Sequence, residues 1–164
     1  MTIVKTPRDK RIIFIYALTL AGIIVWLAAI ALAPYLRSQG HGLAPFVYAC
    51  FSPLCHQVPS RSFYIFGFPL AVCARCLGIY LGFFAGTMLY PLRRGFSALR
   101  LPKTPAFLAV SFPIVFDTAA NILHIWKTPN VLRLATGILW GLILPFYFIT
   151  GVAEISLHWT RKKH

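Results

Sequence analysis

The chain has 164 residues, 59% of them hydrophobic, with a mean hydropathy of +0.74, three acidic residues and a net charge of +13. So much apolar surface in so short a chain excludes an ordinary soluble domain, and uncharged runs of about 20 residues read as membrane spans. The basic residues stand in short clusters between apolar runs, not along one amphipathic face, so they speak for membrane topology and against a nucleic-acid partner.

Lys5, Arg8, Lys10 and Arg11 precede a first apolar run over 12–34. At about 23 residues it exceeds the core of a signal peptide and predicts a retained span, although Ala31-Leu32-Ala33 mimics a cleavage site. A Gly-containing loop over 37–45 follows. The apolar piece 46–54 is too short to cross and predicts a re-entrant or interfacial segment that leads into Cys55-His56-Gln57. The second span is predicted over 70–90, with Cys73 and Cys76 in its first two turns on one helix face. Below them Ala74, Gly78, Gly82 and Gly86 recur every four residues, a small-residue stripe that lets another helix approach closely.

Arg93, Arg94, Arg100 and Lys103 make a basic loop before the third span, predicted over 105–126. Asp117, Asn121 and His124 share one face of it, and Asp117 lies about 13 Å inside the Trp126 end at 1.5 Å per residue. After a turn at Pro129, a fourth span is predicted over 131–157, where Arg133, Gly137, Gly141 and Pro145 again repeat every four residues. Gly137 and Gly141 are expected to meet Gly78, Gly82 and Gly86 in a seam between spans two and four. Glu154 stands one turn from His158 and near Arg161, spacing that suits an interfacial ion pair. Arg161, Lys162 and Lys163 close a chain that reads as one domain over 1–164.

Eleven of the sixteen Lys and Arg residues lie in the N-terminal segment, the middle loop and the C-terminal tail. By the positive-inside rule both termini are cytoplasmic, and the Cys/His stretch, His124 and Arg133 are on the outer side. The expected protein is therefore an all-α, four-helix bundle in the cell (inner or plasma) membrane.

All four cysteines lie within residues 50–76, and the outer half of this bundle also collects His56, Arg61, Arg75, Asp117, Asn121, His124 and Arg133. Ionisable groups are expensive in a bilayer, so such a cluster marks function, while Asp117 also suits a purely structural pairing with Arg75 or Arg133. Several chemistries fit. Cys55, Cys73 and Cys76 with His56 or His124 make a Cys₃His set for Zn or Cu, with Arg75 and the helix dipole favouring thiolates. Alternatively, Cys50/Cys55 and Cys73/Cys76 are two redox pairs that pass electrons to a quinone. The cysteines also suit one or two structural disulfides. Finally, Arg61, Arg75 and Arg133 suit a lipid-phosphate-handling enzyme, with His56 as acid or base.

The segments C-H-Q-V-P-S-R-S-F (55–63) and C-A-R-C-L-G-I-Y-L-G (73–82) resemble the signature of a bacterial and archaeal family of small membrane proteins catalogued as a domain of unknown function. Asp117, Asn121, Arg133, Thr136 and Gly137 match further parts of that pattern. The resemblance brings no activity. It implies that the family's set starts at Cys55 and leaves Cys50 outside, which tilts the expectation toward a thiophilic metal ion. Partners compatible with this reading are the bilayer, the ion, and either a second copy of the chain or an extracytoplasmic protein.

Overall fold

The computed structural model describes residues 7–94, 104–123 and 125–161, and it is dominated by six helices. Helix α1 (Pro7–Ser38) is a single 32-residue rod, followed by the short α2 (Ala44–Phe51). A 3-10 turn (Pro59–Arg61) leads to a two-residue hairpin, β1 (Tyr64–Ile65) against β2 (Phe68–Pro69), in the register Tyr64↔Pro69 and Ile65↔Phe68. Helices α3 (Ala74–Arg94), α4 (Thr104–Ile122), α5 (Asn130–Gly141) and α6 (Leu144–Arg161) complete the chain. Among the described residues, three stretches are long and apolar enough to cross a membrane: Lys10–Ser38, Thr104–Ile122, and Asn130–Ser156, which runs through α5 and α6. Helix α3 has 21 residues but carries arginines and glycines, and is not among the three.

Several boundaries correct the sequence reading. The second predicted span is helical only from Ala74, not from near Leu70, because the chain bends at Ala71 and Val72 and the backbone groups of Leu70 and Ala71 are bonded elsewhere. Leu70 N–H donates to the Phe63 carbonyl at 2.8 Å, and the Ala71 carbonyl accepts from Gln57 Nε2 at 2.8 Å. Cys73 therefore caps the helix, its carbonyl accepting the first helical bond from Leu77 N–H at 2.9 Å, and only Cys76 lies within it. The third helix ends at Ile122, and the chain turns back before Trp126. The fourth stretch breaks at Leu142–Ile143, because Pro145 has no N–H to donate and its ring clashes with the carbonyl four residues earlier. The hairpin is a small departure from an all-α chain. Its turn has φ +55° at Phe66 and +81° at Gly67, the sign pattern of a two-residue hairpin loop.

Helices α3 and α5 run parallel and meet along their glycines. A Cβ on Gly78, Gly82 or Gly86 would collide with the carbonyl of Leu134, Ile138 or Leu142, and one on Gly137 or Gly141 with that of Arg75 or Ile79. The hydrogens at those positions thus aim at carbonyl oxygens across the seam, weak bonds that recur where helices approach this closely. Because the match is one glycine per turn on each helix, the seam fixes the register of their N-terminal ends. Arg75 and Arg133 are set side by side by it.

The densest packing lies at that same end. Ile30 and Ala33 of α1, Phe51 of α2, Cys55, and Leu70 to Val72 form one buried cluster, flanked by Trp26, Tyr48, Phe63 and Tyr80. Tyr48 donates its hydroxyl to the Pro69 carbonyl, tying α2 to the hairpin. Burial raises the pKa of its phenol despite the opposing pull of Arg37, so it remains a donor. The Arg37 guanidinium stacks over Tyr48 and Phe68 at 5.8 and 5.4 Å from the ring centroids and anchors the end of α1 there.

Candidate functional site: thiols and guanidiniums at the head of α3 and α5

After α2 the chain doubles back, Cys55 N–H donating to the Phe51 carbonyl at 3.0 Å. Gln57 follows in the left-handed region (φ +49°) and its amide bridges the carbonyls of Tyr48 and Ala71 at 2.7 and 2.8 Å. A non-glycine residue held in that conformation carries strain that the surroundings must offset, and such strain clusters at functional sites. The clamp places Cys55, 5% exposed, against the start of α3.

There the Cys55 sulfur accepts a hydrogen bond from Cys73 N–H at 3.1 Å, and Cys76 follows Cys73 by one helical turn, so the three cysteines gather at the head of α3, with Cys73 and Cys76 packed against the buried cluster that holds Cys55. All four cysteines are free thiols, and Cys50 is exposed on α2. His56 is exposed, and it makes no hydrogen bond or ion pair among the described residues. As the side chains stand, no three or more His, Cys, Asp or Glu among the described residues are arranged to hold a metal ion. Neighbouring thiols suit exchange of one disulfide, whereas a cage needs ligands around a common point.

Beside the thiols stands a second constellation. Asp117 of α4 is 6% exposed and pairs with Arg75 Nη2 of α3 through Oδ2. Its Oδ1 accepts from the Thr128 hydroxyl and from Asn121 Nδ2, the latter at 3.3 Å. Asn121 also donates to Thr128 and to the Asp117 carbonyl, and accepts at Oδ1 from Arg133 Nη2 at 2.8 Å. Trp126 N–H donates to Thr128 at 2.9 Å. One chain of bonds therefore ties α3, α4 and α5. Arg133 is 8% exposed and lies within electrostatic reach of Arg61, Arg75, Asp117 and Cys73, so the two constellations adjoin. Asn130 Nδ2 holds the 3-10 turn that carries Arg61 by donating to the Ser60 and Ser62 carbonyls, 3.4 Å each.

A groove of about 460 Å³ runs below the thiols between α1, α3 and α6, lined by Gly22, Ile23, Trp26, Tyr80, Phe83 and Phe148. Tyr80 follows Cys76 by one helical turn, packs edge to face on Trp26 at 5.9 Å between ring centroids, and is within electrostatic reach of Cys76 and Cys55.

Of the residues singled out in the sequence, Cys55, Cys73 and Cys76 come together, as do Arg61, Arg75, Asp117, Asn121 and Arg133. His56 and Cys50 stay apart, and His124 lies outside the described residues. Thr128 and Gln57 are central yet carry no periodic signal. The one available hint was their type, a hydrogen-bonding side chain in a connection between apolar runs.

A family model described as a predicted membrane protein, DUF2085, matches residues 55–147. The matched segment begins at Cys55 and leaves Cys50 outside. An uncharacterised protein of Methanocaldococcus jannaschii is 32% identical over 140 residues, 82% of this chain and 90% of the relative. One of Methanothermobacter thermautotrophicus is 32% identical over 91 residues, 54% of this chain and 78% of the relative. No solved structure matches the chain.

Proposed function

We propose that this chain, which belongs to the DUF2085 family of predicted membrane proteins, is a multi-pass thiol–disulfide oxidoreductase of the cell membrane that passes electrons from a dithiol to a lipid-soluble quinone. The observation that carries this reading is the buried Cys55 held against the head of α3, its sulfur accepting from Cys73 N–H at 3.1 Å with Cys76 one turn further on. The groove below, apolar and headed by Tyr80 next to Cys76, supports the choice of quinone as acceptor. On this reading α3 is a fourth span, about 31 Å long at 1.5 Å per residue, and the basic termini are cytoplasmic, which puts the thiols on the outer side.

In the oxidising step the Cys55 and Cys76 thiols lose two electrons and two protons and close one disulfide, and the quinone takes up both to become a quinol. An external dithiol restores the two thiols by exchange and leaves as its own disulfide. The guanidiniums of Arg75 and Arg133 favour the thiolate that begins each exchange.

A second reading, a bound Zn or Cu ion, is supported by the same three sulfurs and by the guanidiniums that offset the negative charge of a thiolate complex. With His56 exposed, its protein ligands reduce to three sulfurs, a soft set suited to Cu(I), or to Zn with water in the fourth position.

One preparation tests both. Detergent-purified protein is given dithiothreitol and a short-chain ubiquinone analogue, with quinone loss followed by absorbance, metal content by mass spectrometry and thiols by alkylation. Thiol-dependent turnover is expected, falling about a hundredfold or more in Cys55→Ser and Cys76→Ser and persisting in Cys50→Ser and His56→Ala. Turnover indifferent to Cys55→Ser overturns the redox reading. About one metal equivalent that shields the thiols and disappears in Cys55→Ser, without turnover, puts the ion in its place.

A further inference from the structure

Three arginines from three separate elements are gathered at the head of α3 and α5: Arg61 from the 3-10 turn, which Asn130 of α5 holds by the Ser60 and Ser62 carbonyls, Arg75 from α3 and Arg133 from α5. The one carboxylate among them, Asp117, already accepts from Arg75, Thr128 and Asn121. Three positive charges thus face one negative charge, an excess of two in a site partly closed from water. Two of the three are also placed against their own helices. Arg75 and Arg133 sit in the first turns of α3 and α5, where the helix dipole is positive and a cation is disfavoured. Placement that violates both charge balance and dipole preference is the pattern left by a functional requirement.

The side chains are also incompletely bonded. Arg75 Nε and Arg133 Nε are buried and have no hydrogen-bond partner, and Arg133 as a whole is more than nine-tenths buried. A buried N–H that is left unpaired carries its full desolvation penalty. What would relieve all these conditions together is a multiply charged oxyanion, which offers several acceptors to guanidinium forks and sits favourably at two helix N-termini.

We propose that Arg61, Arg75 and Arg133 form a binding site for a phosphate-type oxyanion, either free phosphate or the headgroup of an anionic lipid. The site does not depend on what the neighbouring thiols do. An apolar cavity of about 300 Å³ between α4 and α5 reaches Asp117 and Thr136 and is walled by Phe112, Phe116 and Trp126. Phe112 and Phe116 are exposed on the apolar surface of α4, so the cavity beside Asp117, the partner of Arg75, borders the lipid face and suits the chain of an anionic lipid.

The test uses the full-length protein in two arms. In detergent, the melting temperature is followed against inorganic phosphate, with chloride at matched ionic strength as the control. In nanodiscs, retention of phosphatidic acid over phosphatidylcholine is read by native mass spectrometry. A phosphate-specific rise in melting temperature supports the site and identifies free phosphate. Selective retention of phosphatidic acid without that rise supports the site and identifies a lipid headgroup. Arg61→Gln, a change at an exposed side chain that folding should tolerate, is expected to weaken the responding ligand about tenfold or more. No response in either arm, or a response unchanged in a folded Arg61→Gln protein, overturns the proposal.

Discussion

Asp117 accepts, through one carboxylate, hydrogen bonds from Arg75, Thr128 and Asn121, which come from α3, the turn after α4 and α4 itself. Replacing it by Asn keeps the shape but removes the charge opposite Arg75, whose Nε is already unpaired. Breaking one side of a buried pair costs about 3–5 kcal/mol, and since Arg75 keeps some access to water the lower end applies here. Asp117→Asn is therefore expected to lower the melting temperature of the detergent-solubilised protein by roughly 6–12 °C. A change within about 2 °C, the scale of a mutation well under 1 kcal/mol, would show that the pair adds nothing to folding. Asp117 and Asn121 could be read from the sequence because i and i+4 share a helix face. Thr128 could not. It reaches Asp117 only because the chain folds back after Ile122, and a fold-back leaves no period in the sequence. The same limit hid Gln57, whose clamp depends on a left-handed backbone.

Between elements, the controlling contact is the seam of α3 on α5. The obstacle to a side chain there is backbone, which cannot rotate away. At Gly82 an added Cβ would meet the Ile138 carbonyl and lie 2.9 Å from Gly141 Cα. Gly22 of α1, by contrast, has open space around the same position. Overpacking typically costs about 1–3 kcal/mol, while alanine is the better helix former by up to about 1 kcal/mol. Gly82→Ala is thus expected to reduce the melting temperature by several degrees, and Gly22→Ala to leave it unchanged or raise it. Equal effects at the two positions would mean that the seam does not set the approach of the helices. The four-residue spacing of these glycines is plain in the sequence, and the close approach follows it. The helix limits were less legible, because hydrophobicity continues through residues 70–73, which lie outside α3, and through 142–143, where Leu142 N–H still donates to the Ile138 carbonyl at 3.0 Å but Ile143 N–H shifts to that of Trp140 at 3.3 Å. Residues 70–73 give their backbone groups to the hairpin and Gln57, and Pro145 denies one to α5. The thiol cluster had the same obstacle, since Cys73 lies on the cap and not in the helix, which lets its N–H meet the Cys55 sulfur.

At the scale of the whole molecule, large apolar side chains stay exposed along α1, α4 and α6, among them Phe14, Val25, Leu108, Val115 and Ile155, while polar bonding is concentrated at one end. In water such a surface would aggregate, whereas in a bilayer it is the lipid-facing wall. On the proposed reading, charge sets which end faces outward. The basic clusters flank α1 on its N-terminal side and α6 on its C-terminal side, and Cys50 lies exposed near the opposite end of α1. A membrane-impermeant maleimide applied to intact cells should therefore label Cys50 readily, and the label should vanish in Cys50→Ser while Cys55, being buried, reacts slowly. A reporter fused after the C-terminus should be active only where the cytoplasm is required. Labelling confined to permeabilised cells or inverted vesicles would reverse the orientation. It would also move the clustered thiols to the reducing side of the membrane, where an accumulated disulfide would be reduced by the thiol pool and an outward-facing dithiol partner could not reach it.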